Sequence, residues 1–230
     1  PLMRNVAMPH PTVVIADTTF WGRHYGVTVF RAPGLKKNLW WQDVVRETVE
    51  TYRGGRRSLE REGWTFTAAV VDGRRGLASV FGDIPVQVCQ FHQVKTATKY
   101  LTRRPETLAG QELRLMALGL SQTTEADFTK SLDEWHGRWR EFIAEKTYLF
   151  PGSKHWVYTH RRVRGAYRSL VANLPHLFTY QKYPDLHIPN TTNSLDGMFS
   201  QLKNRLAVHR GVRGARRYKL ISEILTGEEK

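Results

Sequence analysis

Three aspartates stand where chain elements begin or end, and their type and placement could do chemistry. Asp17 closes a mostly apolar run, Thr12 to Ala16. Asp72 closes a second, Phe66 to Val71, and is followed by Gly73. Asp196 falls in the first turn of a segment whose apolar stripe is Leu195, Phe199, Leu202 and Leu206, on the side that Ser200 and Lys203 share. Carboxylates gathered at strand ends suit the binding of hard divalent cations, which take oxygen ligands and keep some of their waters. Two such ions about 3.5–4 Å apart stabilise the attacking and leaving oxygens when a phosphodiester is cleaved. Crowded carboxylates without a cation repel one another, so such a cluster is costly as structure alone.

Each acid also has a plainer role open to it. Asp17 can be a turn residue before Thr18 and Thr19, and Asp72-Gly73 is a common turn dipeptide. Asp196 follows Asn193 by three residues and can close a capping box. Glu223 is a conceivable substitute for Asp196, though nothing around it matches the pattern around Asp196. Cys89 and His92 have the two-residue gap of a zinc pair, but a structural zinc needs four ligands and no second pair has suitable spacing. They read otherwise as a buried thiol and a polar histidine at a helix start. His209 can meet phosphate or cap a helix end, where a cation is favoured. Trp135 and Trp139 lie on a helical stripe and read as core, whereas Trp156, near Lys154, His155 and Arg161, is less obviously core, and stacking on a base there would be physically reasonable.

The elements that must position these residues divide the chain in three. Residues 1–103 read as three strands, a helix, a strand, a short helix, a strand and a helix. The strands are Thr12 to Ala16, Tyr25 to Phe30, Leu39 to Trp41, Phe66 to Val71, and one begun by Val86 and Val88 after Pro85. Helical spacing runs from Val44 to Glu62, with Gly54 and Gly55 weakening its middle, and again from Phe91 to Leu101. Residues 104–189 read as all-helical. Phe128, Leu132, Trp135, Trp139 and Phe142 line one helix face, with a capping box at Thr124 and Asp127, and a second helix from Arg161 to Asn173 is stopped by Pro175. Residues 190–230 hold the segment bearing Asp196, with Gly211 as its stop, and a tail.

Lys and Arg outnumber Asp and Glu by 35 to 21, a formal net charge of +14. Such a field draws in polyanions and opposes compaction, so DNA, RNA and anionic membrane surfaces are the candidate partners. The basic residues are not gathered on one amphipathic helix, no apolar run is long enough to span a bilayer, and no secretory signal opens the sequence, so no membrane role is expected. Cys89 is the one cysteine, which excludes an internal disulfide and suits a reducing, cytoplasmic setting.

Three passages carry a family likeness. They are Ile15-Ala16-Asp17-Thr18-Thr19-Phe20; Val71-Asp72-Gly73-Arg74-Arg75-Gly76-Leu77 followed by Val88-Cys89-Gln90-Phe91-His92; and Asn190 to Gly197 continuing through Leu202-Lys203 to His209-Arg210-Gly211. In this order they resemble the Mutator-like bacterial insertion-sequence transposases, a branch of the acidic-triad enzymes with a ribonuclease H-like fold. The resemblance implies an α/β core, a ribonuclease H-like mixed sheet flanked by helices and interrupted by a helical insertion at 104–189. It implies Asp17, Asp72 and Asp196 as catalytic ligands of two Mg²⁺ ions, with Mn²⁺ as substitute, supported by Cys89 and His92. Arg74, Arg75, Lys203, His209, Arg210 and Trp156 are then the expected DNA contacts.

The implied reaction is cleavage of transposon ends in double-stranded DNA and transfer of the freed 3′-hydroxyl strand into target DNA. A homodimer in the synaptic complex, a nucleoid-associated location and a separate N-terminal DNA-binding region are implied with it. The family usually has Glu where this chain has Asp196. Two alternatives therefore stay open: a degenerate or domesticated transposase that only binds DNA, and a nuclease of the same fold without strand transfer.

Overall fold

The computed structural model describes residues 9–208 and 211–227. Its centre is a mixed sheet of five strands in the order β3-β2-β1-β4-β5. The strands are β1 (Thr12–Phe20), β2 (Gly26–Ala32), β3 (Lys37–Val44), β4 (Phe66–Val71) and β5 (Val86–Val88). β1, β2 and β3 form an antiparallel meander, and β4 and β5 run parallel to β1. The strand residues are largely β-branched or aromatic, and side chains alternate between the two faces of the sheet. Val14, Ala16, Phe30, Trp40, Ala69 and Val71 face one core, where α1 (Val49–Arg61) supplies Tyr52 and Leu59. Ile15, Val27, Val29, Trp41, Ala68 and Val70 face the other, covered by α7 (Asn193–Val208) and α8 (Gly214–Thr226). The molecule is therefore an α/β protein with helices on both faces of its sheet, as expected at this level.

Several boundaries differ from the sequence expectation. β1 does not end at Ala16 but runs on to Phe20, because β2 continues to pair with it from Ile15↔Arg31 to Phe20↔Gly26 after β4 has stopped. Asp17 thus sits inside a strand. α1 begins at Val49, not Val44: Val44 still pairs with Gly26 in the sheet, and Thr48 caps the helix, its hydroxyl accepting from the Thr51 N–H at 3.2 Å. Gly55 is no weak point, since a Cβ there would meet Phe30 and Trp40 at 2.8 Å; its absence lets α1 lie close on the sheet.

α2 (Gln90–Leu101), α3 (Leu108–Leu118), α4 (Glu125–Ala144), α5 (Arg161–Leu177) and the single turn α6 (Thr179–Lys182) share a third core with Val88. The α4 stripe packs as its spacing predicts, with Trp135 buried and donating from Nε1 to the Ala109 carbonyl at 3.0 Å. Thr124 caps α4 by accepting from the Asp127 N–H at 3.2 Å, and its hydroxyl donates to the Asp127 carboxylate at 2.7 Å. α5 passes through Pro175, which falls in its last turn, and so ends later than expected. The segment is not all-helical. A hairpin of β6 (Lys146–Tyr148) and β7 (Trp156–Tyr158) interrupts it, turning through Pro151 and Gly152, the latter at φ +80°.

Buried glutamines fasten this layer to the sheet. Gln87 and Gln90 each donate to the Leu177 carbonyl at 2.9 Å, and Gln87 accepts from the Tyr180 N–H at 3.0 Å. Gln87, Gln90 and Leu177 lie out of water, where an unpaired amide is costly, so the contacts fix the end of α5 on β5 and α2. Among the described residues, no helix is long and apolar enough to cross a membrane.

Candidate metal centre

Asp17 lies on the Ile15 side of β1, the side that α7 covers, and α7 brings Asp196 to it. The N-terminal part of α2 brings His92. One ligand atom from each of Asp17, His92 and Asp196 lies within 4.8 Å of the others. His92 Nε2 is 3.9 Å from Asp17 Oδ2. Asp17 is 6% exposed, while His92 and Asp196 are half-buried. The neighbouring Thr18 points to the opposite face, where its hydroxyl lies 2.8 Å from that of Thr28 and 3.0 Å from that of Tyr52.

Backbone contacts knit the motif passages together. The Cys89 N–H donates to the Val71 carbonyl at 2.8 Å, joining the start of α2 to the strand that ends beside Asp72. The Gln90 N–H donates to the Asn190 carbonyl at 2.9 Å, joining α2 to the approach of α7. Thr192, fully buried, sits where the three meet. Its N–H donates to Cys89 Sγ at 3.3 Å, and its hydroxyl lies 3.3 Å from that sulfur, from His92 Nδ1 and from Asp196 Oδ2. Cys89, His92 and Asp196 thus share Thr192 as a neighbour. Asp196 makes its side-chain contact with Thr192 rather than with Asn193, which already belongs to α7.

Electrostatics mark the cluster as an unbalanced one. Burial pushes the Asp17 carboxyl up from 3.8 to about 7; His92 and the Thr18 N–H pull it down, and Asp196 and Asp72 push it further up. Burial works against the charge on His92, yet hydrogen bonding to Cys89 and the charges of Asp17, Cys89 and Asp72 outweigh it and raise its pKa to about 9. The imidazolium beside Asp17 occupies the electrostatic role a cation would fill. Two carboxylates and an imidazole fit a divalent cation, and the oxygens fit a hard one.

The other expected site residues fall as follows. Asp72 follows β4 directly, half-buried, outside the group of three but near enough for its charge to bear on Asp17 and His92. Arg74 reaches Glu47 at 2.5 Å, and Arg75 is exposed. Lys203 is exposed on α7. Trp156 lies on β7, 39% exposed, with Lys146 Nζ 4.0 Å from its ring centroid. His209 and Arg210 lie outside the described residues. Glu223 is on the exposed side of α8.

Sequence reasoning missed Thr192 as a hub, and it treated His92 as support where the geometry makes it a vertex of the group. The Thr-Thr-Asn run before α7 was visible, but nothing in its spacing distinguishes a hydroxyl that caps from one that bridges. No family model matches the chain, and no curated protein matches it.

Proposed function

We propose that the chain is the catalytic region of a DNA transposase with a ribonuclease H-like core, cleaving transposon ends and transferring the 3′-hydroxyl strand to target DNA. One observation carries the proposal: Asp17 of β1 and Asp196 of α7, 179 positions apart in the chain, converge with His92 on one buried point of a basic protein. The arrangement of a three-strand meander and two parallel strands, with an acid on the central strand and another after its neighbour, supports the fold assignment.

Divalent ions, two Mg²⁺ with Mn²⁺ as substitute, would supply Lewis acidity to the attacking and leaving oxygens. Asp17 and Asp196 would hold them, with Asp72 completing the set from the end of β4. Thr192 orients the Asp196 carboxylate and the His92 ring. His92, the third vertex of the group, would give up its proton to join Asp17 and Asp196 as a ligand. In the first step water attacks phosphorus and the bond to the 3′-oxygen breaks, leaving a 3′-hydroxyl. In the second that hydroxyl attacks a phosphodiester of target DNA and displaces its 3′-oxygen.

A second reading, DNA binding without cleavage, is favoured by Asp196 standing where the resembling family has Glu. Against it, the shorter side chain still comes within 4.8 Å of the other two groups. The test is an assay with pre-cleaved and intact transposon-end DNA in Mn²⁺, using the full protein. Cleavage and joined products from the wild type, lost in Asp17→Asn, are expected; cleavage without joined products assigns a nuclease, and binding alone assigns the second reading.

A further inference from the structure

An open groove of about 700 Å³ runs from Asp72 between the loop after β4 and the face of α5. Arg74 and Arg75 line it from the loop side, and Arg168 and His176 from α5. Arg168, Ala172 and His176 are four residues apart in turn and so share one helix face. Small residues line both sides, Gly73 and Gly76 from the loop and Ala172 from α5. Asp72 is the one acid among the lining residues. Arg74 is paired with Glu47, but Arg75, Arg168 and His176 have no ion-pair partner among the described residues. The guanidinium charges of Arg75 and Arg168, on facing walls, repel one another unless an anion lies between them. Apart from His176 no ring lines the groove, so it offers charge and no platform for base stacking.

The groove is also held in a fixed shape. Asn173 of α5 donates to the Gly73 carbonyl at 3.2 Å and to Gln93 Oε1 at 2.7 Å. A Cβ on Gly73 would come within 2.3 Å of Asn173 Nδ2, so the loop residue after Asp72 must be this small for α5 to close the wall.

We infer that this groove is a track for the phosphodiester backbone of one DNA strand, read without regard to sequence, which α5 and the loop after β4 lead to Asp72, beside the Asp17–His92–Asp196 group. The inference rests on the transposase proposal for the direction of the strand, and on the groove alone for its ligand. It adds Arg168 and His176, from the helical layer, to the surface that holds substrate.

The experiment measures binding of a labelled duplex and a labelled single strand over a range of salt, with three proteins: the wild type, Arg75→Ala/Arg168→Ala, and Lys130→Ala/Arg140→Ala. The last pair lies on α4 outside the groove and removes the same charge. All four side chains are exposed, so truncation spares the core. For duplex DNA, the groove variant is expected to lose about 1.8 from the slope of log affinity against log salt, roughly 0.9 for each phosphate contact, whereas the control keeps its slope. Affinity of the groove variant should fall at least about tenfold at 0.15 M salt for every sequence tried. Equal slopes for groove variant and control would overturn the inference, as would displacement of the DNA by micromolar ATP, which would mark a mononucleotide site. The parent proposal fails separately: if the slope is lost as expected but no cleavage or joining occurs, the track stands and the transposase does not.

Discussion

Thr192 and Cys89, 103 positions apart, meet twice: the Thr192 N–H donates to the Cys89 sulfur, and the Thr192 hydroxyl lies 3.3 Å from the same atom. That hydroxyl has Asp196 and His92 as its other neighbours, so one buried side chain couples two motif passages. Groups that orient ligands from behind change metal affinity by roughly 10–100-fold when removed. Thr192→Val keeps the shape and removes the oxygen. It should weaken Mn²⁺ binding by about tenfold or more, and Thr192→Ser should restore most of it. Calorimetric titration of both variants checks this, and a Val variant that binds like the wild type would make Thr192 a packing residue only.

Asp17 should make the metal-free protein less stable as pH rises. Its folded pKa, about 7, exceeds the ordinary 3.8, so the fold binds the proton more tightly than the unfolded chain does. Stability from this group is present below about 4 and falls as pH rises to 7, by on the order of 4 kcal/mol in all. Asp17→Asn removes that loss and should be the more stable protein at pH 8 without metal, with the advantage shrinking toward pH 4. Denaturant midpoints at the two pH values, with chelator present, decide it. A divalent ion should reverse the order, because it favours the ionised carboxylate.

Metal binding should release protons. His92 holds its proton up to about pH 9 and Asp17 to about 7, and both must give it up to become ligands. Mn²⁺ affinity is therefore expected to rise roughly tenfold per pH step between 7 and 9, and more steeply below 7. In His92→Gln the rise above pH 7 should disappear. An affinity flat across this range in the wild type would show that neither group is a ligand.

Gly55 tests packing against propensity. Alanine is favoured over glycine inside a helix by about 1 kcal/mol. Here the added methyl meets the rings of Phe30 and Trp40 at 2.8 Å, in a core where both are buried. Overpacking costs about 1–3 kcal/mol, so Gly55→Ala should lower stability, while Gly54→Ala, which meets nothing within 4 Å, should raise it.

Much of the fold was legible because strand alternation and helical spacing are written residue by residue. β4 falls on Phe66–Val71 as read, and the stripe of α4 packs as read. What escaped depends on partners distant in sequence. β1 looked shorter because Asp17 interrupts its apolar run; β2 supplies the pairing that carries it on to Phe20. α8 falls in the expected tail, although Tyr218, Ile221 and Leu225 have helical spacing. Basic residues crowd its first turns, and only the contact with β3, where Trp41 donates to Ser222 Oγ at 3.0 Å, shows why it folds there. The hairpin of β6 and β7 is exposed on both faces and so leaves no burial pattern; its Pro151-Gly152 turn was the one readable sign. The aspartates were legible as candidates by their positions, but that Asp17 and Asp196 group with His92, and Asp72 stands just outside, follows from the register of β1 and the path of α7.

The most direct test of the centre is Mn²⁺ binding in the presence of a short DNA duplex, comparing the wild type with Asp17→Asn, Asp72→Asn and Asp196→Asn, each shown to be folded. About two ions bound by the wild type are predicted, with binding lost or sharply weakened in Asp17→Asn and Asp196→Asn and one ion fewer in Asp72→Asn. Wild-type binding by Asp196→Asn would contradict the account: Asp196 would then serve only the first turn of α7, and the basic surface would be left as a DNA-binding one without a metal centre.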